Sequence, residues 1–237
     1  MSINKEVVVI TGGTSGIGLS TAETLLKNGY NVVLNGRNEK KLNEICQKLN
    51  CKTAAGDISE KGVPEKILAE TLAHFGRCDI LINNAGVMEA GKIEEIDIDK
   101  ISEMIRINVD ATFRMTYLFL RHFTKQNSGH VVNISSILGT KVRPTAGAYA
   151  GTKFAVEALS EALRMELAKT NIKITCVEPG LVKTELHRHW EVHPMESLDI
   201  PDPLKPQDIA DSILWILQQN ERVRIPKVLV LPRGHVI

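Results

Sequence analysis

Tyr149 and Lys153 stand four residues apart in the run Tyr149-Ala-Gly-Thr-Lys153. On a helix that spacing puts both side chains on one face. An ammonium beside a phenol favours the phenolate, so the pair predicts a tyrosine pKa below its reference of about 10. A phenol tuned in this way is the general acid or base that interconversion of a carbonyl and an alcohol needs near neutral pH. The same spacing also suits a surface pair with a snorkelling lysine stem. Two serines, Ser135 and Ser136, end a strand-like run that begins at Val131, and Ser136 lies thirteen residues before the tyrosine. Asn108 falls on an apolar stripe with Ile101, Met104, Ile105, Val109, Thr112, Phe113 and Thr116. A buried amide must find a hydrogen-bond partner inside the fold, so Asn108 is either a tie between elements or part of a site.

The elements that would position these side chains follow from periodicity. Lys5 to Thr11 contains VVVI, a run suited to a strand buried on both faces of a parallel sheet. A turn over Gly12 to Gly18 leads to a helix from Ile17 to Asn28, closed by Gly29. Strand Asn31 to Asn35, helix Glu39 to Leu49 and a weak strand over 51–55 follow, then Asp57 and a helix from about Ser59 to Phe75. Gly62 and Pro64 can delay the start of that helix. Next come strand Cys78 to Asn83, one long helix from Asp97 to Lys125, strand Val131 to Ser135 and the Tyr149 helix to about Lys169. Strand Ile172 to Val177, a helix from Pro206 to Gln219 and a strand near Lys227 to Leu231 complete the chain. Strand and helix alternate throughout, which predicts an α/β, Rossmann-type doubly wound parallel sheet of about seven strands. No repeat or Gly/Ser-rich linker divides it, so residues 1–237 are expected to form one domain.

Between the first strand and first helix lies Thr11-Gly-Gly-Thr-Ser-Gly-Ile-Gly18. In a doubly wound sheet this turn binds a dinucleotide: glycines let backbone approach the pyrophosphate, and the helix start offers N–H groups and positive dipole. The spacing of Gly12, Gly16 and Gly18 is not the plain G-x-G-x-x-G pattern, and tight turns use glycine for their own reasons. No Lys-Ser/Thr follows, which excludes a P-loop, and no G-x-S-x-G elbow occurs. After the second strand, Gly36 stands where an acidic residue would hold the ribose hydroxyls of NAD(H). Arg37 follows and can clamp a 2′-phosphate, or can be an ordinary loop arginine. NADP(H) is therefore expected over NAD(H).

Taken together these residues resemble the short-chain dehydrogenase/reductase family over essentially the whole chain. TGGTSGIG matches its TGxxxGxG motif, Asn83-Asn84-Ala85-Gly86 its NNAG motif, and Tyr149 to Lys153 its YxxxK. Pro179-Gly180-Leu-Val182-Lys-Thr184 matches the segment that closes over the nicotinamide. The resemblance implies an oxidoreductase transferring a hydride between NADP(H) and a carbonyl/alcohol pair. Tyr149 would be general acid/base, Ser136 would orient the carbonyl, and Lys153 would lower the tyrosine pKa and bind ribose. Asn108 would join a proton relay. Cofactor contacts are implied at Gly12, Thr14, Ser15, Gly16, Ile17 and Gly18 of the turn, and at Arg37, Asp57 and Ile58. Further contacts are implied at Asn84, Ala85 and Gly86, at Tyr149 and Lys153, and at Pro179, Gly180, Val182 and Thr184. Ser135 is expected to pack or cap. Asn83 and Asn84 divide cofactor contact and strand bracing between them. The alternatives are an NAD-dependent alcohol dehydrogenase and a dinucleotide sensor without catalysis.

Composition narrows the partners. Twenty-nine basic against twenty-eight acidic residues give a formal charge of +1, which argues against a nucleic-acid face or an anionic membrane surface. No apolar run approaches the about 18 residues of a spanning helix, and the N-terminus carries no signal-peptide pattern. A soluble, cytoplasmic protein is expected. Cys46, Cys51, Cys78 and Cys176 are expected as free buried thiols, in a chain large enough to need no disulfide staples. Residues 186–203 follow the nicotinamide-side motif and are expected to cap the substrate. His187, His189 and His193 in that segment read as solvated or substrate-facing rather than metal ligands. Trp190 and Met195 either line the pocket or pack the cap down. The apolar residues Tyr117 to Leu120, on a helix that family members commonly pair with its symmetry mate, point to a homodimer or homotetramer. The EPGLVKTE stretch and the VLVLPRGHVI ending resemble the branch of the family that acts on small hydroxy acids, secondary alcohols and aldehydes more than the ketoacyl-carrier-protein reductases. A small carbonyl or alcohol substrate is therefore expected.

Overall fold

The computed structural model describes residues 5–187 and 194–236. Its strands are β1 (Val7–Ile10), β2 (Asn31–Gly36), β3 (Lys52–Ala55), β4 (Ile80–Asn83), β5 (Gly129–Ile134), β6 (Ile172–Pro179) and β7 (Lys227–Val230). They form one seven-stranded sheet in the order β3-β2-β1-β4-β5-β6-β7. Every pairing is parallel, with Val9 opposite Leu81 and Asn83 opposite Asn133. The β-branched runs explain this: Val7 to Ile10 are each buried, as a central strand covered by helices on both faces must be.

Helices α1 (Gly16–Lys27), α2 (Glu39–Leu49) and α8 (Pro206–Leu217) cover one face, burying Leu25, Leu42 and Ile213 against Val8, Ile10 and Leu34. Helices α3 (Val63–Phe75), α5 (Thr112–Gln126) and α6 (Gly147–Glu166) cover the other, where Phe119 and Phe123 pack on Val9, Leu81 and Val131. Helix α4 (Ile98–Ile105) precedes α5, and a short helix α7 (Pro194–Ser197) lies in the expected cap segment. The doubly wound Rossmann-type α/β architecture is therefore the observed one. Its strand order reverses between β1 and β4, and the crevice beyond their carboxyl ends is where such sheets bind ligands.

Three departures from the sequence expectation have physical causes. Helix α3 begins at Val63 rather than Ser59, because Gly62 takes φ 87 as its N-cap and Pro64 sits in the first turn. The long helix over 97–125 is interrupted by a π turn at Arg106–Ala111. That widened turn carries Asn108, and one inserted residue is invisible to a 3.6-residue hydrophobic period. Cys46, Cys78 and Cys176 are buried free thiols, but Cys51 is half-exposed because it lies past the left-handed Asn50 that ends α2. No helix among the described residues is long and apolar enough to cross a membrane.

One buried group makes stability depend on acid. His130 of β5 is buried, and its Nε2 lies 2.9 Å from Thr175 Oγ1. Thr175 Oγ1 donates its only proton to Ile225 O at 2.6 Å, so His130 must be the Nε2–H tautomer. Burial, with Lys173 and Arg224 nearby, pushes its pKa down to about 3. The unfolded chain protonates this histidine below about pH 6.5 while the folded chain does not, so stability falls as pH drops from 6.5 toward 3. The slope is up to about 1.4 kcal/mol per pH unit. His130→Gln keeps a donor for Thr175 without a titrating ring and should flatten that limb in urea melts taken from pH 7 to 4. An unchanged slope would count against the assignment.

Candidate active site

A cavity of about 1210 Å³ runs along the carboxyl ends of the strands. At one end it is lined by Arg37, Asp57 and Ile58; in the middle by Gly12, Thr14, Ser15, Gly16 and Ile17 with Asn84, Ala85 and Gly86. At the other end stand Ser136, Tyr149 and Lys153, facing Pro179, Gly180, Val182 and Thr184. Residues separated by more than a hundred positions in sequence therefore share one crevice. Two expected site residues, the cofactor contact Gly18 and the relay residue Asn108, do not line it. Gly18 is buried, and a Cβ there would lie 2.5 Å from both Asn84 Nδ2 and Gly12 O, so it serves close packing of α1 on the turn. Asn108 is 2% exposed and lies behind the wall.

The turn after β1 is held from β4. Thr11 Oγ1 accepts from Asn84 N and Ala85 N, both at 3.0 Å, and Asn84 Nδ2 donates to Thr11 O and Gly12 O at 3.0 and 3.1 Å. Gly12 adopts φ 65, and a Cβ there would lie 2.8 Å from the Ala85 Cα. Asn83 has the bracing role: Nδ2 donates to Asn133 Oδ1 at 2.8 Å and to Thr116 Oγ1 at 3.0 Å, under the floor of the site.

The reactive end is built on the start of α6. Tyr149, Lys153 and Ser136 are all at most 9% exposed. Lys153 Nζ donates to Ile134 O at 2.8 Å and lies 5.7 Å from the centre of the Tyr149 ring. Asn108 Oδ1 accepts from Val87 N at 2.9 Å while its Nδ2 donates to Val87 O at 2.8 Å and Thr152 Oγ1 at 3.2 Å. The amide thus ties the π turn to the segment after β4 and to α6, directly beneath the YxxxK face. Ser136 Oγ accepts from Leu138 N at 3.1 Å and so caps the turn at Ile137–Gly139, while its hydroxyl also bonds the Tyr149 phenol. Ser136 thus lines the cavity and caps as well, and Ser135 packs against Gly139 with its hydroxyl buried and unpartnered, one of its two expected roles.

The electrostatics correct one expectation. Burial pushes the Tyr149 phenol up to about 12, and the groups acting downward on it are Ser136 and the Arg143 guanidinium. Lys153 is not among the groups that act on the phenol; burial pushes its own pKa down to about 8, and its amine donates to the Ile134 carbonyl. At the far end, burial acts to raise Asp57, but hydrogen bonds from Ser59 and the charge of Arg37 hold it below the usual carboxylate range. Arg37 lies 3.8 Å from Asp57 and is 63% exposed, so its guanidinium remains open to the crevice.

Two lining residues carried no sequence signal. Arg143 sits in the irregular loop before α6, and His235 belongs to the last described residues, where it packs over Gly180. Neither position has a periodicity or spacing that points to a site. Of the cap segment, Leu186 and Leu198 line the cavity. His189, Trp190 and His193 lie outside the described residues, as does the side chain of His187.

Comparison with known proteins agrees with this fold. An uncharacterised oxidoreductase of Staphylococcus epidermidis is 34% identical over 97% of this chain and 98% of its own length. A serine dehydrogenase solved in a closed form with NADP+ shares the fold at a TM-score of 0.91, with 27% identity over 98% of this chain and 96% of that one. An alcohol dehydrogenase of the archaeon Thermococcus sibiricus, solved with 5-hydroxy-NADP, matches at a TM-score of 0.83 with 26% identity over 97% of both chains. The family model for short chain dehydrogenases matches residues 6–194. A match over so much of the chain, on a fold shared this fully, makes it a member of the short-chain dehydrogenase family of oxidoreductases.

Proposed function

We propose that this chain is an NADP(H)-dependent oxidoreductase for carbonyl/alcohol pairs. The observation that carries the reading is the convergence of Ser136, Tyr149 and Lys153 at one end of a crevice whose middle is the glycine turn. The cradle fits a dinucleotide: Gly12 and Gly16 keep the turn free of side chains where a pyrophosphate would lie, and the N-terminus of α1 opens there. Arg37, beside Gly36, would hold a 2′-phosphate, and the NADP in the two similar structures supports that preference.

When bound, the nicotinamide supplies or takes up the hydride; the chain supplies position and protons. In reduction Tyr149 would donate its phenolic proton to the carbonyl oxygen as general acid. Ser136, whose hydroxyl stands within reach of the Tyr149 phenol, would hydrogen-bond the same oxygen where negative charge develops. Lys153 would hold the ribose near the phenol, and Asn108 would keep the π turn and α6 in register so that a proton path to Lys153 stays open. Residues 186–203 would cap the substrate. The backbone bonds Lys183 N to Leu204 O at 2.8 Å and Leu204 N to Leu181 O at 3.0 Å pin the base of that segment beside the nicotinamide motif. Of the expected face Tyr117 to Leu120, Phe119 and Leu120 are buried in the chain's own core. It is the exposed Tyr117, with Ile105 and Phe154, that supports a homodimer or homotetramer.

Initial rates on a panel of aldehydes and ketones, with NADPH and NADH in parallel, test the reading. Silence on every carbonyl would favour a dinucleotide sensor. The Arg37 assignment has its own outcome: Arg37→Gln should lower the NADPH/NADH ratio of kcat/KM by about 10- to 100-fold, the worth of charged hydrogen bonds to a phosphate. An unchanged ratio would remove Arg37 from the site.

A further inference from the structure

We propose that Arg143 anchors a carboxylate of the substrate, so that the pocket selects oxo acids and the matching hydroxy acids over neutral carbonyl compounds and alcohols. The inference rests on the oxidoreductase reading above and specifies its substrate class.

Arg143 lines the cavity at the end that holds Ser136 and Tyr149. It is half-buried, and no carboxylate among the described residues forms an ion pair with it. A guanidinium taken partly out of water without a partner is costly, and a site that retains one gains by meeting an anion. The acidic residues among the described lining are only two. Asp57 stands beside Arg37 at the opposite end, and Glu185 is exposed and already partnered.

The loop that carries Arg143 is held rather than free. Pro144 restricts the Arg143 backbone toward the extended region. Thr145 takes φ 66, a rare conformation for a β-branched residue, and its carbonyl accepts from Gly91 N at 3.0 Å. Such strain places the arginine in advance of any ligand, as recognition of a small anion requires.

The Arg143 charge also reaches the reacting group. It acts downward on the phenol of Tyr149, and, after burial, it helps hold His235 below the usual histidine range. His235 is thereby neutral at pH 7 and faces the substrate end as a hydrogen-bonding group, with Nδ1 buried and unpartnered. Lys153 is committed to Ile134 O. Lys141 also lines the cavity but is exposed, so Arg143 is the half-buried cation at the substrate end that no carboxylate among the described residues pairs with. One planar guanidinium fork matches a carboxylate bidentately, whereas phosphate sites gather several converging backbone donors.

The test is a set of 2-, 3- and 4-oxo acids, each beside its own methyl ester, reduced with NADPH by wild type, Arg143→Gln and Arg143→Lys. A change in the Tyr149 pKa alters both members of a pair alike, so the acid-to-ester ratio of kcat/KM isolates the anchor from its effect on the phenol. Wild type should prefer at least one acid over its ester, Arg143→Gln should lower that ratio about 10- to 100-fold, and Arg143→Lys should fall between. Esters reduced as well as acids by wild type, or a ratio that Arg143→Gln leaves unmoved, overturns the anchor while the oxidoreductase reading stands. Failure to reduce any carbonyl overturns both. Should Arg143→Gln not fold, by its melt and NADPH titration, the wild-type ratios and Arg143→Lys decide the matter.

Discussion

Tyr149→Phe should bind NADPH like wild type and lose turnover by about 10²- to 10⁴-fold, the range of a positioned general acid. The ring stays, and with it the packing of a side chain that is 7% exposed and the Lys153 amine 5.7 Å from its centre. What goes is the hydroxyl that, on the proposed mechanism, gives its proton to the carbonyl oxygen. Burial holds that phenol at about 12, so it carries its proton throughout the working range and suits reduction. Alcohol oxidation requires the phenolate, and its rate should therefore climb with pH well past neutrality. A plateau below pH 8 would show that other charges, not burial, govern the phenol during turnover.

The same substitution reads the pKa without catalysis. The unfolded tyrosine ionises near pH 10 and the folded one near 12, so wild-type stability is full below 10 and declines through that window, by roughly 3 kcal/mol. Tyr149→Phe lacks this decline, and urea melts at pH 9 and above would reveal the difference. Wild-type turnover by the variant would remove Tyr149 from the mechanism.

Gly12→Ala carries the second large effect. Gly12 needs φ 65, which an L side chain adopts only with strain, and the new Cβ would lie 2.8 Å from Ala85 Cα and 3.1 Å from Ala85 N. Both are backbone atoms of the segment after β4, with no rotamer to give way. Relief must move the turn, and that breaks the bond from Asn84 Nδ2 to Gly12 O at 3.1 Å. The expected result is a loss of NADPH affinity of about 100-fold or more, with about 1–3 kcal/mol of stability. Fluorescence titration and a thermal melt report the two separately. Retained affinity would mean that the pyrophosphate does not rest on this turn.

Only part of the site was legible in the chain. The alternation of strand and helix, the glycine turn after the first strand and the Tyr149–Lys153 spacing are local patterns, each set by backbone geometry within a few residues. They determined the fold class and most of the expected residues that line the crevice, though not Gly18 or Asn108. Helix α3 shows the limit even there, since a left-handed Gly62 outweighed the polar residues before it.

Three things waited for the tertiary structure, each because it depends on packing between distant segments. The π turn at Asn108 exists where the amide meets the Val87 backbone, a contact across 21 residues that no period encodes. The direction of the Tyr149 shift was decided by burial, which exceeds the effect of a neighbouring charge and cannot be read from an i,i+4 pair. Arg143 and His235 came to the substrate end from an irregular loop and a chain end, where sequence has no periodicity to read. The sequence by itself determined the class of chemistry, because that chemistry rests on residue types at short spacing. The electrostatics and the substrate end were decided by the fold, because dielectric and charge act through space rather than along the chain.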